Sequence, residues 1–142
     1  MNPPHAIATG LVQAALQAAF GHGWWVRCQL PLHIDAFNNP LPDFAVVPGS
    51  PRDYAGRHPS TAALVVEVSD TTLAFDAVEK AERYATAGIA DYWIVDLVSN
   101  RLLVFRNPSG TDYLQKPSFA PADRVQPLAA PGQSVLVSDL LP

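Results

Sequence analysis

The chain has 142 residues, of which 49% are apolar and 15% charged. That is a folded composition at one-domain size, which excludes disorder and leaves room for a core without covalent staples. Net charge is −4 and the only lysines are Lys80 and Lys116, so there is no basic stripe of the kind that coats nucleic acid.

Other absences narrow the class further. A single cysteine, Cys28, excludes an intrachain disulfide, and at an internal strand position it reads as a small hydrophobe. No run of 18 apolar residues exists to span a membrane. The opening MNPPHAIATG lacks the basic and apolar regions of a secretory signal. A cytoplasmic location with no membrane partner is the expectation. The thin charge points to a self-association surface.

In chain order, residues 4–20 read as a helix, with Ile7, Leu11, Ala14, Ala15, Ala18 and Phe20 at helical spacing and Gly21 and Gly23 ending it. It holds no carboxylate, and the first acidic residue is Asp35. Residues 24–34 read as a strand with Trp24, Val26, Cys28 and Leu30 on one face, weakened at Pro31. A turn at 35–40 precedes a short buried strand, 41–47, that starts at Pro42-Asp43. The loop 48–60 carries Arg52, Arg57 and His58 among three prolines and two glycines. A connection this long is functional or mobile.

The chain is organised around residues 62–97, which read as strand, helix, strand. The β-branched run 63–69 predicts a central strand. The helix 74–88, capped by Gly88, is expected to bury Phe75, Val78, Ala81 and Ala85 and to leave Asp76, Lys80 and Arg83 on another face. Strands at 91–97 and 101–106 form a hairpin around 98–100. Beyond residue 107 proline density rises, with short strands expected near 112–116 and 133–137. The order of elements is that of an α/β or α+β sheet with a helix packed on it, and a parallel pair across helix 74–88 would cross over right-handed.

Two carboxylates stand at ends of apolar runs, Asp43 and Glu67. If their strands neighbour one another, both face one gap, and hard oxygen donors in an open gap suit Mg²⁺ or Mn²⁺. The alternative is a pair of solvated strand-end acids. Lys80 either serves that gap, orienting water or neutralising phosphoryl charge, or forms a surface pair with Asp76. Arg52, Arg57 and His58 are phosphate contacts or solvated loop charges. Four histidines, His5, His22, His33 and His58, show no zinc spacing. Asp96 reads as a capping group, and Tyr92 and Trp93 as core.

Pro42-Asp43, VVEVSDTT at 65–72, Lys80 and YATAGIADYWIVDL at 84–97 together resemble the PD-(D/E)XK phosphodiesterases. The similarity is to the restriction endonuclease-like bacterial branch whose lysine has moved to the following helix. It runs from His5 to the C-terminus. It implies a restriction-endonuclease-like core, a central mixed β-sheet flanked by helices with extra C-terminal strands, in a single domain over 1–142. Residue by residue, it implies Asp43 and Glu67 as catalytic metal ligands for Mg²⁺ (or Mn²⁺), joined by the Val68 carbonyl, and Lys80 as the catalytic lysine. The usual lysine position holds Ser69. His5 resembles a histidine this branch carries early in its first helix, and it joins Arg52 and Arg57 as a candidate substrate contact. The expected partners are DNA and a second copy of the chain.

One departure accompanies the resemblance. Members of that branch usually carry several dozen more N-terminal residues, including an acid that joins the metal site, whereas residues 1–34 here hold no carboxylate. The expectation is therefore a shortened version. The two functional readings are a metal-dependent DNA endonuclease and a nuclease-fold interaction module with weak or no catalysis.

Overall fold

The computed structural model describes residues 2–142. Helix α1, Pro3–Phe20, starts sharply. Asn2 caps it by accepting the His5 N–H at 2.9 Å, and prolines fill its first positions, where no N–H is needed. Its buried row is Ala8, Val12, Leu16 and Phe20, one step round from the expected Ile7–Leu11 row, and Ile7 is exposed. With no charged residue on any face, spacing could not rank the two rows. The sheet beneath chose.

Strand β1, Trp24–Cys28, is shorter than expected. Gln29 turns to φ 53°, and that left-handed backbone ends the strand before Pro31 does. Its partner β2, Phe44–Pro48, is followed by a 3₁₀ turn, Pro51–Tyr54. Then come β3, Leu64–Ser69, a π-helical segment, Phe75–Lys80, helix α2, Ala81–Thr86, and β4, Asp91–Asp96. Strands β5, Arg101–Ser109, β6, Asp112–Gln115, and β7, Ser118–Phe119, extend the sheet. Short strands β8, Arg124–Val125, and β9, Val135–Leu136, pair separately.

The main sheet runs β1-β2-β3-β4-β5-β6, with β7 also on β5. Only β3 and β4 pair in parallel, as a crossover through a helix requires. Alternation along the central strands sends side chains to two cores. Val66, Val68, Trp93 and Val95 meet α1. Val65, Tyr92 and Ile94 meet Ala81, Tyr84 and Ala85 of α2. This is the mixed sheet flanked by helices that the family resemblance implies.

The helix before β4 departs from expectation. Phe75 and Val78 are exposed, whereas Asp76 is buried. The wide turn of the π segment rotates its side chains away from a 3.6-residue row, carrying two apolar residues out and a carboxylate in. Such segments recur at functional sites.

Candidate active site

Antiparallel pairing of β2 with β3 puts Phe44 opposite Val66, so the residues just beyond, Asp43 and Glu67, meet at one end of the sheet. They are stapled crosswise. Glu67 Oε1 accepts the Asp43 N–H at 2.8 Å, and Asp43 Oδ2 accepts the Val68 N–H at 2.7 Å. Lys80, last residue of the π segment, extends its Nζ to 2.9 Å from Glu67 Oε2 and 3.1 Å from Asp76 Oδ1. The surface pair with Asp76 considered from sequence is thus a buried-side contact that also engages Glu67. Oδ1 of Asp76 accepts no aligned hydrogen bond, so its link to Lys80 is a charge contact, while Oδ2 accepts the Thr72 hydroxyl at 3.0 Å.

Tyr84 completes the group by donating its hydroxyl to Glu67 Oε2 at 3.1 Å. Sequence reasoning missed Tyr84 and the inward turn of Asp76. A signal was present, since Asp76, Lys80 and Tyr84 are spaced i, i+4, i+8 along one helical row.

Burial lifts the Glu67 carboxyl to about 7; the Lys80 charge opposes the rise and the Asp43 charge adds to it. Burial also works against the Lys80 ammonium, but Glu67 and Asp76 outweigh it and hold its pKa above the ordinary lysine value. Lys80 therefore stays charged. Burial, then the Glu67 charge, pushes the Tyr84 hydroxyl up, so it remains a donor. The Ser69 hydroxyl, where the usual lysine would stand, is buried without a partner.

His5 approaches from α1. Its Nε2 lies 3.1 Å from the Val68 carbonyl oxygen and 4.0 Å from Asp43 Oδ2. Asn2, which also hydrogen-bonds Asp70, ties the helix start to the turn after β3. A cleft of about 260 Å³ opens here, lined by Asn2, His5, Val68, Asp70, Thr71 and Thr72.

The structure does not bring Arg52 and Arg57 to this end. They are exposed on the loop that leaves β2 after Pro48, roughly 17 Å of strand from Asp43 at about 3.4 Å per residue. The antiparallel course of β2 separates them. A larger cleft of about 430 Å³ lies at that loop, with Arg57 and His58 in its wall, but no carboxylate–lysine group accompanies it.

By type, the Asp43 and Glu67 carboxylates and the Val68 carbonyl fit a hard divalent cation. Among the described residues, no three or more His, Cys, Asp and Glu side chains form a ready metal centre. Both Glu67 oxygens already accept protein donors, so a cation would share their remaining lone pairs.

The Asp91-Tyr92-Trp93-Ile94-Val95-Asp96 block is structural. Asp91 accepts Trp93 Nε1 at 2.7 Å, Arg106 Nε at 3.0 Å and the Leu128 N–H at 3.0 Å. Asp96 accepts the Val98 and Ser99 N–H groups and Arg101, capping the turn as expected.

A mixed sheet with α1 on one face and α2 on the other, and acids at the end of its central strand, defines a restriction-endonuclease-like fold. The chain belongs to the Uma2 family, described as "Putative restriction endonuclease", whose pattern matches residues 1–138. The crystal structure of a "putative nuclease belonging to DUF820" from Anabaena variabilis is similar over 99% of this chain and 81% of that one, with a TM-score of 0.75 and 16% identity. At that identity the likeness shows the fold. The type IIG restriction endonuclease BpuSI aligns with 79% of this chain and 12% of its own, with a TM-score of 0.48 and 17% identity. No curated protein matches the chain. No helix among the described residues is long and apolar enough to cross a membrane.

Proposed function

We propose that this chain is a divalent-metal-dependent endonuclease that hydrolyses DNA phosphodiester bonds in the cytoplasm. One observation carries the reading: in a member of this family, Lys80 Nζ sits 2.9 Å from Glu67, whose carboxylate is stapled to Asp43. Asp43, Glu67 and the Val68 carbonyl are the groups that would hold Mg²⁺ or Mn²⁺. Such a cation supplies Lewis-acid polarisation of a phosphoryl oxygen and a lowered pKa for water. The chain's own part is positioning. Glu67 and Asp76 hold the Lys80 ammonium at the strand end, where it offsets charge developing on the phosphoryl oxygens. The 260 Å³ cleft beside His5 gives the scissile strand an approach. Cutting both strands of a duplex calls for two such sites, hence a homodimer.

A second reading, an inactive nuclease-fold interaction module, is favoured by one observation. Glu67 already has its oxygens engaged by Asp43, Tyr84 and Lys80. Nicking of supercoiled plasmid in millimolar Mg²⁺ or Mn²⁺ decides between them, with Lys80→Ala and Asp43→Asn alongside. The enzyme reading expects metal-dependent nicking that both variants lose. Wild-type protein that neither binds metal nor nicks would leave the module.

A further inference from the structure

We propose that His5 is itself a ligand of the divalent cation, adding a nitrogen donor that shifts the site's preference from Mg²⁺ toward Mn²⁺ and Co²⁺. This rests on the metal-dependent reading above and goes beyond its carboxylate and carbonyl donors. The imidazole Nε2 faces the Val68 carbonyl oxygen at 3.1 Å and Asp43 Oδ2 at 4.0 Å. Both are oxygens, and Asp43 Oδ2 already accepts the Val68 N–H.

The other edge of the ring is equally informative. The Thr9 hydroxyl lies 3.4 Å from Nδ1 and commits its one proton to the His5 carbonyl at 2.8 Å. It can therefore offer Nδ1 only a lone pair. That arrangement accepts a proton on Nδ1 and leaves the Nε2 lone pair aimed at the carboxylate and carbonyl. A ligating histidine characteristically donates its far N–H to such a neighbour, which fixes the tautomer and the ring plane. Without a cation, the same ring puts its proton on Nε2 and donates to Val68. With a cation bound, the ring's proton would sit on Nδ1, where the Thr9 oxygen can accept it.

The position is built. Asn2 caps α1 through the His5 N–H and hydrogen-bonds Asp70, linking the first turn to the segment after β3. The adjoining cleft is lined by His5 and Val68, so these two donors are reachable from solvent. Imidazole is a softer donor than carboxylate and ranks later first-row ions above Mg²⁺. A histidine here also supplies a donor that α1 otherwise lacks, since residues 1–34 contain no carboxylate.

The test is pulsed electron paramagnetic resonance on the full chain loaded with Mn²⁺, joined to calorimetric titration with Mn²⁺ and Mg²⁺. Expected is nitrogen hyperfine modulation from a directly bonded imidazole, absent in His5→Ala with Mn²⁺ still bound. Mn²⁺ affinity should fall about 10–100-fold in that variant, and Mg²⁺ affinity clearly less. His5→Asp, an all-oxygen set, should restore Mg²⁺ binding without the nitrogen signal. Melting in chelator shows whether each variant is folded, and His5→Gln replaces His5→Ala should the latter not fold. Bound Mn²⁺ with no nitrogen signal, or a signal that survives loss of His5, would overturn this proposal and leave the metal reading standing. Wild-type protein that binds no Mn²⁺ would overturn both.

Discussion

Asp43 and Glu67 are locked to each other by two crossed hydrogen bonds. Glu67 takes the Asp43 N–H at 2.8 Å, and Asp43 takes the N–H of the residue after Glu67 at 2.7 Å. The lock continues the β2–β3 ladder with side chains where backbone pairing has ended. The same carboxylates are thus structural acceptors and candidate metal donors, and variants can separate the two roles.

Asp43→Ala leaves the Val68 N–H without its acceptor and should cost about 1–3 kcal/mol in denaturant unfolding. Asp43→Asn keeps an amide oxygen for that N–H and should cost under ~1 kcal/mol. Yet both should lose metal-dependent stabilisation, which for wild type is about 2.7 kcal/mol at a hundredfold excess over Kd. Equal unfolding losses for the two variants would show that the crossed bond contributes nothing to stability.

Glu67 predicts a pH dependence. Its carboxyl is lifted by burial, against the Lys80 charge, to about 7 from an ordinary 4.5. The folded chain therefore holds a proton that the unfolded chain has released across that interval. This contribution is fully present below the unfolded value and is lost as pH rises through the folded one. In chelator, stability relative to Glu67→Gln should fall by on the order of 2–3 kcal/mol between about pH 4.5 and about pH 8. Chemical denaturation of both proteins at each pH measures it. A flat difference would mean that Glu67 titrates as an ordinary carboxyl.

Lys80→Ala leaves Glu67 and Asp76, each with its side chain 2% exposed, without their shared counter-charge. Lys80 itself is partly solvated, so the loss should be about 1–3 kcal/mol rather than the full cost of a buried pair. Adding Asp76→Asn should recover part of it, giving a coupling of about 1 kcal/mol in a double-mutant cycle. Strict additivity would argue that Asp76 and Lys80 act independently.

Asp91 is the costliest residue to remove outside the site. Asp91→Ala strips acceptors from Trp93, Arg106 and Leu128 in a fully buried place. About 3–5 kcal/mol should be lost. A loss under ~1 kcal/mol would contradict a structural role for the Asp91–Asp96 block.

The strand–helix–strand unit, the hairpin after it and the pairing of Asp43 with Glu67 were legible in the chain. Residues 63–69 and 91–97 are dense in β-branched and other apolar residues, broken only by Glu67, Ser69, Asp91 and Asp96, a pattern that suits a central strand. Their acids fall near the strand ends, and there Glu67, Asp91 and Asp96 are buried and held by protein donors rather than water. Beyond residue 107 the two-residue strands β7 and β8 escaped notice, because segments so short carry no periodicity and exist only through their partners. The same limit applied to α1, where an apolar row on either side satisfied the spacing.

By itself, the sequence determined where the longer strands and helices lie, since local alternation and apolar runs act over a few residues and need no partner. Only the tertiary structure decided which way the candidate site side chains point. A π segment turned Asp76 and Lys80 onto Glu67 and pushed Phe75 and Val78 outward. The antiparallel course of β2 left Arg52 and Arg57 at the opposite end from Asp43. A capped first turn brought His5 to Val68, 63 residues away in sequence. Those outcomes depend on non-local packing and strand direction, of which the four-residue spacing of Asp76, Lys80 and Tyr84 is the one local trace.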